Sequence, residues 1–477
     1  MRCPPSTLIL ILLAGCTPSA EYVRPTPPVA TSWAEPEQPD DTRVASKTHW
    51  RAYFLDPRLQ ALIAAAIDHN RDLRIAVARI EEARAEHGIS RSAALPAING
   101  NLSHEEKLTP ADIAGTRKPY PERRTDLSLG VVSFELDFWN RLGSLSDAAR
   151  ANYLATEAAR RALQLTLISE VAGAYFTQLE LEERMELARA SIDLRENSLK
   201  LITLAKRSGF ASNLDTLTAD GAVESARSEL AQLEQQHAVA SNKLNLLVGQ
   251  IPEQLPVGQT IGGQDVHNNL ATGLPADVLL ARPDIVEAEQ RLLAAHASIG
   301  AARAAFLPRI LLTASLGLAS RSLLSLLGAN QSAWNFQPAM SLPLFDWGRT
   351  QGGLDLAEAR KNIAVAQYEK TIQQAFREVA DLLAIRRTLS EQQRASKAQV
   401  TINEEGVKIV AARQQEGFAS FLNILEAQRT LIVAQQAALQ VRRMQFDNAA
   451  QLYKALGGGE LTESVASTAL AAETLTN

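Results

Sequence analysis

A chain of 477 residues has ample length for a large core or two domains, and 46% hydrophobic with 21% charged residues is an ordinary globular balance. The net charge of -5 leaves no domain-sized basic surface, which argues against a nucleic-acid partner. Aromatics at 5% and a large share of Ala, Leu, Glu, Gln and Arg point to long helices.

The chain opens on a targeting segment, residues 1–15. Arg2 supplies the positive start, Leu8 to Leu13 the short apolar run, and Ala14-Gly15 the small residues before Cys16. The run is too short to span a bilayer as a helix. Leu13-Ala14-Gly15-Cys16 resembles the lipobox of bacterial lipoproteins, in which the cysteine becomes the acylated N-terminus, so Cys16 is the expected lipid anchor. Thr17 in place of Asp favours sorting to the outer membrane. An ordinary export signal with a coincidental cysteine is the other reading. Cys3 leaves with the signal, so a disulfide framework is excluded. No later stretch is apolar enough for a membrane helix: Ile299 to Leu327 is broken by Arg303, Pro308, Arg309 and Arg321. A crossing would have to be made of strands.

Residues 16–56 hold Pro18, Pro25, Pro27, Pro28, Pro36 and Pro39 and predict an extended tether. A first repeat follows over 57–249. Helical spacing runs from Pro57 to Ala94 and stops at Pro96. Alternation then predicts a hairpin at about 97–138, its first strand through Ile98, Gly100 and Leu102. In the second strand the apolar positions begin as Leu127, Leu129, Val131 and continue as Val132, Phe134, Leu136, which predicts a bulge near Val131. From Gly143 to Ser208 there is no proline, consistent with one helix of roughly 100 Å. After the turn at Gly209 a shorter helix covers 213–248, with a coiled-coil seam from Leu230 to Leu247. Residues 250–276 link to a second repeat, 277–457, with its own hairpin at about 309–345, and 458–477 form a small, polar tail. Trp139, Trp334, Phe336 and Trp347, with Phe345, sit near strand ends and suit an interfacial girdle. A hairpin packed on soluble protein, with Trp as core filler, is the alternative.

The two repeats are copies. Gly209-Phe210-Ala211-Ser212 recurs as Gly417-Phe418-Ala419-Ser420, 208 positions on, and Trp139 meets Trp347 at the same offset. Upstream the offset is 212, with Arg91 and Pro96 meeting Arg303 and Pro308. A unit this long is a duplicated domain and not a solenoid repeat. Each copy reads as helix, β-hairpin, long helix, turn, helix. Four membrane-length strands cannot close on themselves, and open edges cannot face lipid, so several chains must share one barrel.

The motifs then become specific. They are Trp50-Arg51-Ala52-Tyr53-Phe54-Leu55-Asp56-Pro57, Asn70-Arg71-Asp72-Leu73-Arg74 and Leu280-Ala281-Arg282-Pro283-Asp284-Ile285, followed by Ile299 to Pro308, Pro343-Leu344-Phe345-Asp346-Trp347-Gly348, Ala375 to Asp381, and Gly417 to Arg429. Their order and spacing resemble the TolC-type outer-membrane factors of tripartite efflux systems, in the lipoprotein branch paired with resistance-nodulation-division pumps.

The resemblance implies a mainly α fold with a membrane β-barrel. A homotrimer would form a twelve-strand β-barrel on a twelve-helix periplasmic α-barrel, lying in outer-membrane lipid with a large periplasmic portion. It implies a passive exit duct, served by a periplasmic adaptor and an inner-membrane pump. The duct of an ABC-driven type I exporter is the near alternative. A coiled-coil periplasmic lipoprotein without a pore is the distant one.

In such proteins the periplasmic tips touch the adaptor, which singles out Gly209, Phe210, Arg413, Gly417 and Phe418. Arg413 keeps the family's arginine, but its tyrosine is missing here. Leu422, Asn423 and Glu426 are the candidate gate, with Asp215 and Asp220 as weaker first-half counterparts; a solvated helix face is an equal reading of Glu426. No cofactor, metal site or enzyme motif is legible. The seven histidines show no close pair, and there is no phosphate loop or nucleophile elbow.

Overall fold

A computed structural model describes residues 22–30, 48–115, 117–264 and 280–459. The signal segment, Cys16 and the tail beyond 459 lie outside the described residues. In chain order the elements are α1 (Trp50–Tyr53), α2 (Pro57–His69), α3 (Arg71–Ser92), β1 (Ile98–Thr109), α4 (Ala111–Ala114), β2 (Tyr120–Leu136), α5 (Arg141–Arg207) and α6 (Asn213–Val248). They continue with α7 (Pro283–Ala304), β3 (Arg309–Ser320), β4 (Ser332–Ser341), α8 (Arg349–Gln415) and α9 (Phe421–Ala455). The two proline-free stretches are the two long helices, α5 and α8, of 67 residues each.

Two compact units divide the chain across the repeats rather than between them. One takes the described parts of Met1–Thr26 with Ala78–Glu157 and Glu287–Tyr368; the other takes Pro27–Val77, Ala158–Val286 and Glu369–Asn477. The reason lies in what each unit must satisfy. The hairpins of both repeats are needed for one sheet, and the helices of both for one core.

In the first unit the four strands form a single antiparallel sheet in the order β1-β2-β3-β4. The register of β2 on β3 slips between Val131 and Phe134, where Ser133 takes a positive φ of 54° and its N–H donates to Thr313 Oγ1 at 3.1 Å. This is the expected bulge, and it returns Phe134 and Leu136 to the face that Leu127 and Leu129 occupy. At the near end of the sheet Glu135 accepts a bidentate pair from Arg141 at 2.7 Å, tying β2 to the first turn of α5. Arg24 makes a similar pair with Glu289 of α7, at 2.6 and 2.7 Å.

The second unit holds the main core. Tyr53 stacks on Tyr453 with ring centroids 4.8 Å apart, and Phe176 packs against Phe446 at 5.0 Å. Leu59, Ile63, Val171 and Val248 fill the space around them. Residues 50–56, expected to end the tether, are instead part of this core: α1 buries Trp50 and Tyr53, and Phe54 is fully enclosed. Apolar area decides this, since a Trp-x-x-Tyr-Phe cluster gains too much by burial to stay extended.

Asp56 then becomes a buried acceptor. It takes the N–H of Arg58 at 2.8 Å, Tyr175 O–H at 2.7 Å, Gln259 N–H at 3.3 Å and the Gln264 side-chain amide. One carboxylate thus starts α2, fixes α5 and pins the segment after α6. Burial, together with this bond to the carboxylate, pushes the Tyr175 phenol well above its usual range.

The helix expected over 57–94 is broken at Asn70, whose backbone is extended at ψ 132°. The side chain explains the break. Its Oδ1 accepts Leu73 N–H at 3.0 Å to start α3, and its Nδ2 donates to Leu247 O at 2.9 Å. In the second repeat Arg282 stands in for Asn70 and donates to Ala455 O at 2.7 Å, the carbonyl that corresponds to Leu247. Both short helices stop the same way, at Gly249 (φ 75°) and just before Gly457 (φ 87°). A Cβ on Gly249 would lie 2.7 Å from His69 O, so glycine is required there.

Asp56→Ala should cost about 2–4 kcal/mol, because it leaves buried donors without an acceptor, and Asp56→Asn should cost less. Thermal unfolding of the purified protein followed by helical circular dichroism measures this; a loss under about 0.5 kcal/mol for the alanine variant would refute the role of Asp56.

Candidate functional site

Two places carry chemistry that the folded chain does not consume internally: one face of the sheet and the two helical tips. On the sheet, register assigns the faces. Ile98, Gly100 and Leu102 of β1 stand opposite Val131, Leu129 and Leu127 of β2. Leu127 and Leu129 stand opposite Leu318 and Leu316, which in turn stand opposite Ser332 and Trp334. Phe336, Pro338 and Met340 continue that face beside Ala314, Leu312 and Ile310. The other face carries Asn99, Asn101, Ser103, Asp126, Ser128, Thr313, Ser315, Asn335 and Gln337 at the alternate positions.

This apolar face has no cover. Leu316 is 68% exposed and Trp334 78%, and Ile98, Leu102, Leu129, Phe336 and Met340 are equally bare. Covering side chains of this size is worth roughly 1.5–3 kcal/mol each, so a naked patch of seven forgoes ten kcal/mol or more in water. The hairpin-on-soluble-protein alternative therefore fails: these residues pack on no protein core. From Ile310 to Leu318 the face runs about 27 Å along β3, a bilayer-length band once tilted.

The aromatics singled out in the sequence divide. Trp334 and Phe336 project from the apolar face, and Trp347 is exposed and meets Phe345 edge-on at 4.7 Å. Trp139 is half-buried, and its indole N–H donates to Pro308 O at 2.8 Å.

The tips belong to the second unit and are built identically. Gly209 (φ 79°) ends α5, with its N–H on Lys206 O at 3.0 Å and Phe210 N–H on Ala205 O at 2.9 Å. Gly417 (φ 80°) ends α8 with Gly417 N–H on Gln414 O at 3.0 Å and Phe418 N–H on Arg413 O at 2.8 Å. Both are Schellman turns, in which the glycine takes the left-handed conformation. A capping box starts the next helix in each case, Ser212 with Asp215 and Ser420 with Asn423. The phenylalanine one past each glycine is left outside, Phe210 at 89% and Phe418 at 74% exposure.

The gate candidates have local partners. Asn423 Oδ1 accepts from Ser420 N–H at 2.9 Å and Oγ at 2.6 Å, so its side chain serves the helix start. Asp215 does the same for Ser212, and those bonds hold its carboxyl below the usual range. Glu426 is bridged by Arg429 at 2.6 and 3.0 Å, and that hydrogen-bonded guanidinium lowers its pKa. Leu422 and Asp220 are exposed.

Two charged clusters were not legible as sites. Arg282 is buried between Asp284 and Glu378, 2.8 Å from each. A cavity of about 1070 Å³ between α5, α6 and α9 is lined by Glu180, Arg184, Lys243, Arg443 and Asp447. Burial raises Asp447 to about 6, against the pull of Arg443. The only signal was single charged residues at inward helical positions, which spacing alone does not separate from surface. Among the described residues no group of His, Cys, Asp and Glu is placed to hold a metal ion.

Leu316→Arg should block insertion into a bilayer, by about 2–4 kcal/mol at mid-depth, whereas Asn335→Arg on the opposite face should insert normally. Folding into vesicles, scored by protease protection, checks this; equal effects would contradict the face assignment. At the tips, Gly417→Ala should cost about 1 kcal/mol through the left-handed φ, while Phe418→Ser should leave stability unchanged. Helical melts of the two variants separate these outcomes.

Residues 62–250 and 274–458 each match the sequence profile of the outer membrane efflux protein family. Among curated relatives, the toluene efflux pump outer membrane protein TtgF of Pseudomonas putida is 41% identical over 465 residues, covering 95% of this chain and 96% of the relative. The cation efflux system protein CusC of Escherichia coli O157:H7 is 36% identical, covering 94% and 97%. Among solved structures, the open-state MtrE outer membrane channel of Neisseria gonorrhoeae aligns with a TM-score of 0.85 at 35% identity, over 93% of this chain and 98% of that one. A membrane protein from Pseudomonas aeruginosa aligns at 0.86 and 37%, with the same coverage. The sheet and these matches remove the pore-less periplasmic stalk from consideration. The family consists of outer-membrane efflux channels, which are not enzymes. With a duplicated, mainly helical unit and two profile matches along its length, the chain belongs to the outer membrane efflux protein family.

Proposed function

We propose that three copies of this chain form the exit duct of a tripartite efflux pump, each contributing four strands to one twelve-stranded barrel. The observation that carries the reading is the sheet: one naked apolar face, one polar face, and two outer strands, β1 and β4, available for pairing. A bilayer tolerates such a sheet only when the edges are closed by other copies. The polar face then lines a water-filled bore, and the two long helices of each copy, with its shorter helices placed end to end as two further lengths, form a twelve-helix barrel in the periplasm. Anchoring through an acylated Cys16 would hold the N-terminus at the same membrane.

The tips, with Phe210 and Phe418 outside and Arg413 beside them, are the proposed contact for a periplasmic adaptor. An inner-membrane pump of the resistance-nodulation-division class supplies the energy, and this component conducts passively. Leu422, Asn423 and Glu426 remain the proposed gate, with the Glu426–Arg429 pair as the bond to be exchanged when copies converge or part. The cargo we propose is apolar organic solutes, supported by the higher identity to the toluene pump protein than to the cation protein.

Purified protein should run as a heat-resistant trimer and give discrete single-channel conductance in planar bilayers. A deletion strain should become sensitive to solvents and hydrophobic antibiotics, and regain tolerance on complementation. Folded monomer without conductance would sink the duct; sensitivity confined to copper and silver would transfer the cargo to metals.

A further inference from the structure

The first unit contains a short segment that belongs to no helix or strand, Tyr22 to Thr26, and no part of the duct mechanism uses it. Two contacts hold it on α7. The ring of Tyr22 meets His296 edge-on, with centroids 5.8 Å apart. Arg24 Nε and Nη2 donate to the two carboxylate oxygens of Glu289 at 2.6 and 2.7 Å. Glu289 and His296 are two helical turns apart and share one face of α7, so the segment runs along that helix as a strap.

The side chain of Glu289 is 11% exposed and that of Arg24 50%. Ion pairs in open solvent count for little, but a carboxylate this buried is costly to leave unpaired. The bidentate arginine is therefore the tie that keeps the strap in place. Burial, followed by the Glu289 carboxylate nearby, pushes the Tyr22 phenol up to about 12, so it stays neutral in its seat.

The position of the seat gives it a consequence. Tyr22 forms one wall of a cleft of about 550 Å³, whose other walls include Asn140, Ser144, Asp147 and Arg150 with Leu293 and His296. Asn140 lies in the turn from β2 into α5, so the strap is held beside the end of the sheet from which the helices leave. The helices are the periplasmic portion, and that end of the sheet meets the inner leaflet. Cys16 is six residues upstream of Tyr22. Six residues reach at most about 20 Å, even fully extended. A seated Tyr22 therefore keeps an acyl group on Cys16 close to the foot of the sheet. The sheet has open edges and must meet further copies in the membrane. A short tie holds acyl chain and sheet in one patch of bilayer at high effective concentration, and a longer one dilutes them.

We propose that α7 is the docking surface for the chain's own N-terminal strap, and that the Tyr22 seat and the Arg24–Glu289 clamp hold acylated Cys16 beside the sheet to speed its assembly in the membrane. The inference rests on the anchored-duct reading and adds the site at which anchor and sheet are coupled. Arg24 and Glu289 are positioning residues.

The Tyr22–Val23 bond is a chymotrypsin site that the strap closes, and cleavage follows the population of the open form. In purified full-length protein, Arg24→Ala and Glu289→Gln should be cut there about tenfold faster than the wild type, and Arg24→Glu/Glu289→Arg should return toward the wild-type rate. Mass spectrometry of the released fragment reads the cut and the lipid on Cys16 together. The second readout is the rate at which heat-resistant trimers form in phosphatidylethanolamine–phosphatidylglycerol vesicles. Arg24→Ala should slow it about fivefold in the acylated protein. It should have no effect in a Cys16→Ser background exported on an ordinary cleavable signal.

Cleavage of Arg24→Ala at the wild-type rate, an assembly loss equal with and without the lipid, or a Cys16 that carries no lipid would each overturn the proposal. So would unchanged assembly of acylated Arg24→Ala with its strap open. Helical melts show that each variant is folded, and the half-exposed Arg24 keeps the test available if Glu289→Gln does not fold. Conductance separates the two claims. Trimers that conduct but assemble without regard to the strap refute the strap alone, and protein that never forms a conducting trimer refutes the duct.

Discussion

The structure depends on one requirement: every backbone N–H and C=O must find a partner where water is absent. The four-stranded sheet meets it internally for β2 and β3 and leaves it open at β1 and β4. Its apolar face asks for a hydrocarbon solvent, and its edges forbid that solvent until another strand arrives. Folding to completion and assembling in the membrane are therefore one problem for this chain. The helical unit has no such debt. Its tyrosines and phenylalanines pack in one core, and Asp56 satisfies four donors within the chain.

Duplication provides the parts in pairs, and the pairs have diverged where their chemistry differs. Asn70 and Arg282 occupy one position in the two repeats and donate to corresponding carbonyls, Leu247 O and Ala455 O. The asparagine also caps a helix, whereas the arginine draws in Asp284 and Glu378. The tips diverge less. Gly209 and Gly417 hold nearly the same φ, and each is followed by an exposed phenylalanine and a serine cap. A tight reversal between long helices admits few backbone solutions, so the sequence there has little freedom.

Much of this is legible in the sequence itself. Period-two alternation gave the strands and their faces, and the phase change from Leu127-Leu129-Val131 to Val132-Phe134-Leu136 announced the bulge. Absence of proline marked both 67-residue helices. What escaped the reading depends on three-dimensional neighbours. Proline content suggested a tether through residue 56, but Tyr53 and Phe54 find their partners on α9, some 400 positions away in the chain. The break at Asn70 escaped because helical periodicity continues across it. Asn423 and Glu426 were read as gate residues from family likeness, and the single chain shows them in a capping box and a bridge to Arg429. Their part in a gate would be settled where copies meet.

The face assignment of the sheet is the central claim, and its two cysteines (Cys3 and Cys16) leave the chain suited to a direct test. Single cysteines placed in turn from residue 310 to 318, in a background with Cys16 kept for the anchor, can be probed in vesicles with a membrane-impermeant thiol reagent. The account predicts reaction at 313, 315 and 317 and protection at 312, 314, 316 and 318, with lipid-phase reagents giving the reverse. Uniform reaction along the strand, or an alternation of opposite phase, would contradict a lipid-facing sheet and with it the shared barrel.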